Sequence, residues 1–271
     1  MKANKIEHRR SYGPVILALL LALAAVGFGI IVGYGKLRDL YLEQCVIDDM
    51  ASQVTINAGK MVHPSNIAEQ LGLKPGANLA TIDFAKKRDD LLKDIPNLRS
   101  VRIVRRLPNR VIISAEERTP IARMGIRGSK ATTGRVVDTD GMVFIWQRGT
   151  QTLPTIREPQ EPGTPKGQRI QGRTLAALRL IEACREPEFL ELGVLEVDVS
   201  KPDFLVVTLG NYSKVKIAWD GMDEHTPAAR SDLNNRLANL IKAIRSRVAP
   251  DTVIWNATMP DRIFADTQGK L

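Results

Sequence analysis

Adjacent carboxylates, a D-x-D-G string, a group of arginines, two cysteines and three histidines are the residues of this chain whose types could do chemistry. Glu116 and Glu117 follow a run of alternating character, and on a strand neighbouring side chains point to opposite faces, so they cannot act as an acid–base pair. Asp138-Thr139-Asp140-Gly141 resembles the opening of a calcium loop, but the later ligands and the closing glutamate of an EF-hand are missing, and the string reads as a turn. Cys45 and Cys184 do not make a zinc site by themselves. His8, His63 and His225 are far apart, with none near a cysteine, so two unpaired thiols and no metal site are expected. Arg102, Arg105, Arg106 and Arg110 surround Leu107-Pro108 and form either a solvated rim or a surface for an acidic partner. The chain carries no G-x-S-x-G elbow, glycine-rich phosphate loop, H-E-x-x-H or S-x-x-K string. No catalytic residue, cofactor or small-molecule substrate is therefore expected.

The elements that must position these residues begin with a membrane segment. Residues 11–35 contain no charge, and residues 15–32 are almost wholly apolar. At 1.5 Å per residue, about 20 residues cross the hydrocarbon core. A cleavable signal peptide has a shorter apolar region, about 7–15 residues, ending in a small-x-small site. Here the run leaves through Gly33-Tyr34-Gly35 into Lys36, Leu37 and Arg38 without such a site, so it reads as a retained anchor. Lys2, Lys5, Arg9 and Arg10 precede it, whereas Lys36 and Arg38 follow, which places the N-terminus in the cytoplasm and the rest outside.

The 271 residues leave room for two small domains beyond the anchor. The net charge of +9 invites a nucleic-acid reading. The basic residues are scattered, aromatics make up only 5%, and no recognition-helix signature is present, so nucleic acid is set aside. The charge fits a basic domain beside an anionic membrane surface or an acidic partner.

Past the anchor, Leu37, Leu40, Ile47 and Met50 continue a helix. Val54-Thr55-Ile56-Asn57 reads as a strand, His63-Pro64-Ser65 as a helix start ending at Gly72, and residues 84–94 as a second helix. Val101 and Ile103, then Val111, Ile113 and Ala115, alternate as two half-buried strands. Leu107-Pro108-Asn109 separates them, because proline cannot donate to a ladder. After Pro120 the character is β: a strand at Ile121-Ala122-Arg123-Met124, then an Asp-Gly hairpin between Arg135-Val136-Val137 and Met142-Val143-Phe144-Ile145. Residues 153–172, with Pro154, Pro159, Pro162 and Pro165, read as a loop. Leu175, Leu178 and Ile181 mark a helix, strands follow at 194–199, 204–209 and 215–219, and an amphipathic helix runs over 228–248. Residues 251–257 supply a last strand, which Ile263-Phe264 extends.

The strand with its Arg105-Arg106-Leu107-Pro108 turn, the string Glu117-Arg118-Thr119-Pro120-Ile121-Ala122 and the hairpin Asp138-Thr139-Asp140-Gly141-Met142-Val143-Phe144 together resemble the FtsQ/DivIB family of bacterial cell-division proteins. The resemblance implies an α+β fold: a cytoplasmic tail (1–13), a transmembrane helix (14–34), a juxtamembrane linker (35–49) and a polypeptide-transport-associated (POTRA) domain (50–118). A mixed or antiparallel β-sheet domain with covering helices (119–265) and a short tail (266–271) complete it. It also implies a non-enzymatic scaffold of the cytoplasmic (inner) membrane at the division septum. Its partners would be the lipid bilayer and other membrane division proteins, small bitopic coiled-coil proteins of the FtsB/FtsL type. In such proteins the C-terminal strand is a sheet edge that receives a partner strand, which places the partner-binding residues at Val253, Ile254, Trp255, Asn256, Ala257, Arg262, Ile263 and Phe264. Val253, Trp255 and Ala257 would share one face, Ile254 and Asn256 the other, with one set on the long helix and the other toward the partner. Pro260 removes a donor and shortens the paired edge. A chain cut after Val248 is expected to fold yet fail in division. The alternative reading is a POTRA-containing component of protein export or outer-membrane assembly. Such proteins usually carry several tandem POTRA domains and a barrel, whereas this chain offers one candidate and no run of barrel hairpins.

Overall fold

The structure, a computed structural model, describes residues 13–127, 132–146, 148–159, 163–224, 226–246, 254–259 and 261–266. Lys2, Lys5, His8, Arg9, Arg10, His225 and Val248 lie outside that set. Helix α1 (Gly13–Gln44) is unbroken, and its part from Leu19 to Gln44 is long and apolar enough to cross a membrane. The helix runs on past Tyr34 to Gln44, so most of the expected linker is helical. It stops where Cys45 N donates to the Leu42 carbonyl at 3.1 Å and the chain turns away.

The chain divides into two compact units. The first comprises Met1–Asn57, Pro64–Lys87 and Arg102–Ser114. After α1 come α2 (Met50–Gln53), β1 (Val54–Asn57), α3 (Pro64–Leu71), α4 (Phe84–Asp94), β2 (Leu98–Arg106) and β3 (Arg110–Glu117), of which α4, β2 and β3 belong only in part to this unit. Each helix start has a side-chain acceptor where the sequence provides one. Asp49 Oδ1 accepts from Ala51 N at 3.0 Å, and Asp83 Oδ1 accepts from Ala85 N and Lys86 N at 3.1 Å each. Gly72 ends α3 with φ +74°, a left-handed cap that a side chain would strain. The sheet order is β1-β3-β2, with β1 parallel to β3 from Val54↔Val111 to Asn57↔Ser114. Ile47, Ile67, Leu71, Leu79, Val111 and Ile113 are buried, the apolar halves of the amphipathic elements.

The second unit comprises Ala58–His63, Arg88–Val101 and Ala115–Leu271. Its strands are β4 (Ala122–Ile126), β5 (Thr132–Val137), β6 (Val143–Ile145), β7 (Thr155–Glu158), β8 (Glu196–Asp198), β9 (Phe204–Thr208), β10 (Lys214–Ala218), β11 (Ile254–Ala257) and β12 (Phe264–Asp266). They form one mixed sheet in the order β12-β11-β10-β9-β8-β7-β4-β5-β6. Helices α5 (Gly172–Ala183) and α6 (Pro227–Arg245) contribute Leu178, Ile181, Leu233, Leu237 and Leu240 to a single apolar cluster with Met124, Ile156, Val197, Val207, Val215 and Trp255. The register sets those six strand residues opposite one another in a row, so they share the helix-covered face. The next row, Gly125, Arg157, Asp198, Val206, Lys216, Asn256 and Phe264, lies on the other face.

One element departs from the sequence expectation. Residues 153–172 were expected to be a loop, yet β7 sits inside the sheet, parallel to both β4 and β8. Its four residues hold one aliphatic side chain, Ile156, so no alternation is visible. The polar members are satisfied by partners outside the strand. Arg157 Nε donates to Glu196 Oε2 at 2.8 Å, and the Glu158 carboxylate accepts from Thr164 N and Oγ1 at 3.0 and 2.6 Å. Burial of a polar strand depends on such partners, one in the following loop and one 39 residues on.

Candidate partner-binding edge

A sheet presents unpaired backbone groups only at its two ends, and here the ends differ. At the β6 end, the chain covers itself: Val143 N donates to Gln168 O at 3.0 Å and Gly167 N to Val143 O at 2.7 Å. Asn97 Nδ2 adds a bond to Ile145 O at 2.7 Å. At the other end stands β12, which pairs with β11 alone among the described strands. Of the expected edge, 252–257 with 262–264, the described part Ile254–Ala257 is interior and Phe264 lies at the edge. β11 is an interior strand, parallel to β10 from Lys214↔Ile254 to Ile217↔Ala257 and antiparallel to β12 from Ile254↔Asp266 to Asn256↔Phe264. The short connection after β11 folds residues 264–266 back against it, so its outward N–H and C=O groups are already used.

The predicted site residues therefore separate. Trp255 and Ala257 are buried in the core cluster beside Leu233, Leu237 and Leu240, so this face packs on α6 as expected. Ile254, assigned to the partner, is buried as well, which removes it from direct contact. Asn256 turns inward on its own chain: its Oδ1 accepts from Thr258 N at 3.1 Å and Thr258 Oγ1 at 2.8 Å. Arg236 of α6 donates from Nη1 to Thr258 O at 3.0 Å while its Nε meets Asp232 Oδ2 at 2.9 Å, which pins the end of β11. Val253 lies outside the described residues. Arg262 is exposed, Ile263 is half-buried against the core, and Phe264 is 47% exposed on the edge itself. Lys214 and Lys216 of β10 share the face of Phe264, and the Lys216 ammonium stands 6.0 Å over the Phe204 ring. With Arg262, and with Asp261 and Asp266 in the same segment, they put charges of both signs about the edge.

The two specific strings of the sequence meet elsewhere in the second unit. The Glu117 carboxylate accepts from three successive backbone amides, Lys60 N at 3.1 Å, Met61 N at 2.8 Å and Val62 N at 2.7 Å. A Cβ on Gly59 would overlap that carboxylate, which is why a glycine stands there. Glu116 faces the other way and accepts from Ser100 Oγ at 2.9 Å, so the neighbours do not form a pair. Arg118 is buried: its Nε donates to Pro96 O at 3.1 Å, and its Nη1 meets Asp138 Oδ2 at 2.5 Å and Asp140 Oδ2 at 3.4 Å. Asp138 Oδ1 accepts from Asp140 N and Met142 N at 3.1 and 2.9 Å, which shapes the Asp-Gly turn. The acidic string is thus an arginine seat and a turn. Among the described residues no group of three or more His, Cys, Asp or Glu side chains could hold a metal ion. Cys45 and Cys184 are buried free thiols.

Residues 51–118 match the POTRA domain of the FtsQ type. The cell division protein FtsQ of Streptomyces collinus is 28% identical over 241 residues, covering 87% of this chain and 83% of that protein. The chain is thus similar over most of its length to a cell division protein FtsQ and carries a POTRA domain of the FtsQ type. It is an FtsQ-like cell-division protein with an α+β fold, an apolar N-terminal helix suited to anchoring and a POTRA domain in strand-helix-helix-strand-strand order. For an FtsQ-type chain the E-R-x-P and D-x-D-G strings have a structural reading: each supplies one half of the Arg118–Asp138 contact. Sequence reasoning saw both strings but not their joining, because the signal is an ion pair between residues 20 positions apart.

Proposed function

We propose that this protein is a non-enzymatic scaffold of the division septum. Its cytoplasmic N-terminus and single membrane helix leave the remainder outside the cytoplasm, where it gathers other membrane division proteins. A strand of a small bitopic partner of the FtsB/FtsL type adds to β12. The observation that carries this reading is the contrast between the two ends of the sheet: β6 is covered by the protein's own 167–170 segment, and among the described strands β12 has a neighbour on one side only. An added strand would satisfy the outward backbone groups of residues 264–266, and alternating side chains would set specificity. Phe264 offers the apolar contact, and the charged residues about it, Arg262, Lys214 and Lys216 with Asp261 and Asp266, favour a partner segment of complementary charge pattern. The residues of β11 support the edge from behind.

The test is site-specific photo-crosslinking in host membranes with the reactive side chain at Phe264. The expected product is an adduct with a small single-pass membrane protein, lost when Ala265 is replaced by proline in a chain that still melts cooperatively. Crosslinking that persists in the folded Ala265→Pro chain, or none at Phe264 in a host that divides normally, would overturn strand addition. Protease digestion of spheroplasts tests the orientation: the C-terminal part should be cut and an N-terminal tag spared.

A further inference from the structure

The first unit carries a surface that the division partners do not account for. Between residues 102 and 110 the sequence holds Arg102, Arg105, Arg106 and Arg110 and no acid. All four are exposed, none is in an ion pair among the described residues, and Leu107 at the turn between them is 68% exposed. A solvated rim needs no apolar residue at its tip, whereas an interface with lipid headgroups uses both kinds.

The topology of the unit brings this tip to the end of α1. The chain leaves α1, passes α2 and enters the sheet at Val54, whose partner is Val111, the residue after Arg110. The chain thus reaches the sheet at the turn end of the β2–β3 hairpin. A line of hydrogen bonds fixes the distance. Arg105 Nη1 donates to Leu79 O at 3.1 Å, Leu79 N to Cys45 O at 2.9 Å, and Asn78 Nδ2 to Leu42 O at 2.8 Å, with the Arg105 guanidinium 5.4 Å from the Phe84 ring centre. The uncharged part of α1 ends at Gly35, and from Lys36 to Cys45 the helix rises about 14 Å. The headgroup layer, about 5–8 Å, and one screening length at physiological salt, about 8 Å, together span that height.

We propose that the β2–β3 hairpin tip lies on the membrane surface, where Arg102, Arg106 and Arg110 bind the phosphates of anionic phospholipids and Leu107 enters the headgroup layer. Arg105 is the strut that holds the tip to the anchor. The contact would set the height and tilt of the first unit over the bilayer. It rests on α1 being the anchor and is independent of strand addition at β12.

The experiment uses the full chain in proteoliposomes of phosphatidylcholine alone or mixed with phosphatidylglycerol. Leu107→Cys carries an environment-sensitive fluorophore, Cys45 and Cys184 being buried, and a lipid with a nitroxide on its headgroup serves as quencher. The expected result is stronger quenching with phosphatidylglycerol than without, falling to the neutral-lipid level at 1 M salt, where screening shortens to about 3 Å. The Arg102→Glu/Arg106→Glu/Arg110→Glu chain, with Arg105 kept, should lose the anionic-lipid increment. Should that chain fail to fold, Arg106→Gln alone should lower the ratio of docked to undocked hairpin about fivefold. Equal quenching in the two lipids, or quenching insensitive to salt and to these substitutions, overturns the proposal. Unchanged quenching with loss of co-purified division proteins assigns the hairpin to an acidic protein and likewise overturns it. Vesicle flotation is read first: a chain that does not float refutes the anchor, and this proposal with it, before any fluorescence is recorded.

Discussion

Glu117 and Arg118 are neighbours that reach in different directions, the first to backbone amides and the second to a buried carboxylate. A carboxylate on three backbone amides and a buried guanidinium on a buried carboxylate are charge-assisted contacts, stronger than neutral ones. Breaking a buried pair by removing one partner strands the other charge, at a cost of about 3–5 kcal/mol. Asp138→Ala should therefore lower the unfolding free energy by that much in urea titration, and more than Asp140→Ala, whose carboxylate is part-exposed. Cys184 gives a pH-dependent expectation. Burial pushes its thiol up from 9.0 to about 12. Because the folded value is the higher one, the stability due to the neutral buried thiol is whole below about pH 9 and is lost as pH rises toward 12. Stability measured against pH should fall more steeply in this window for the native chain than for Cys184→Ala. A thiol reagent at pH 8 should leave Cys184 unmodified until the chain unfolds.

At the scale of elements, β7 decides whether the nine strands are one sheet. It joins β4 to β8, and Ile156 is fully buried in the row that meets α5 and α6. Ile156→Ala should cost about 2–5 kcal/mol in chemical denaturation, a core penalty in a segment whose prolines suggest a loop. Glu158→Ala probes the same strand from its polar side, since it leaves the Thr164 hydroxyl and amide without their acceptor. Helix α6 illustrates the opposite case. Its apolar stripe is legible in one short window of sequence, and the structure adds the Thr226 cap, which accepts from Ala229 N at 3.2 Å, and Pro227 in the first turn.

At the scale of the whole chain, the position of β11 changes what a truncation does. The sequence reading expected a chain ending after Val248 to fold, but that cut removes Ile254, Trp255 and Ala257 from the interior. Losing the Trp255 side chain alone is worth about 3–5 kcal/mol. A chain ending at Ser246 should therefore show lost near-UV circular dichroism and non-cooperative melting. One ending at Thr258 keeps β11 and lacks β12. It should melt cooperatively, remain in the membrane fraction and fail to co-purify its division partners. Equal partner recovery with and without β12 would move the docking surface elsewhere.

What the sequence determined by itself were the features held in contiguous residues: the apolar run of the anchor, the helix stripes, the hairpin turns and the motif strings that carry the family resemblance. Periodicity and turn chemistry act over a few residues, so one chain segment contains the whole signal. What only the tertiary structure decided were the features made by pairing across distance. Arg118 seats on Asp138, Glu117 fills the amide nest after Gly59, and polar β7 enters the sheet because Thr164 and Glu196 complete it. The edge passes from β11 to β12 for the same reason: which strand is outermost depends on where residues 264–266 fold back, and alternation alone is the same for an interior strand and an edge.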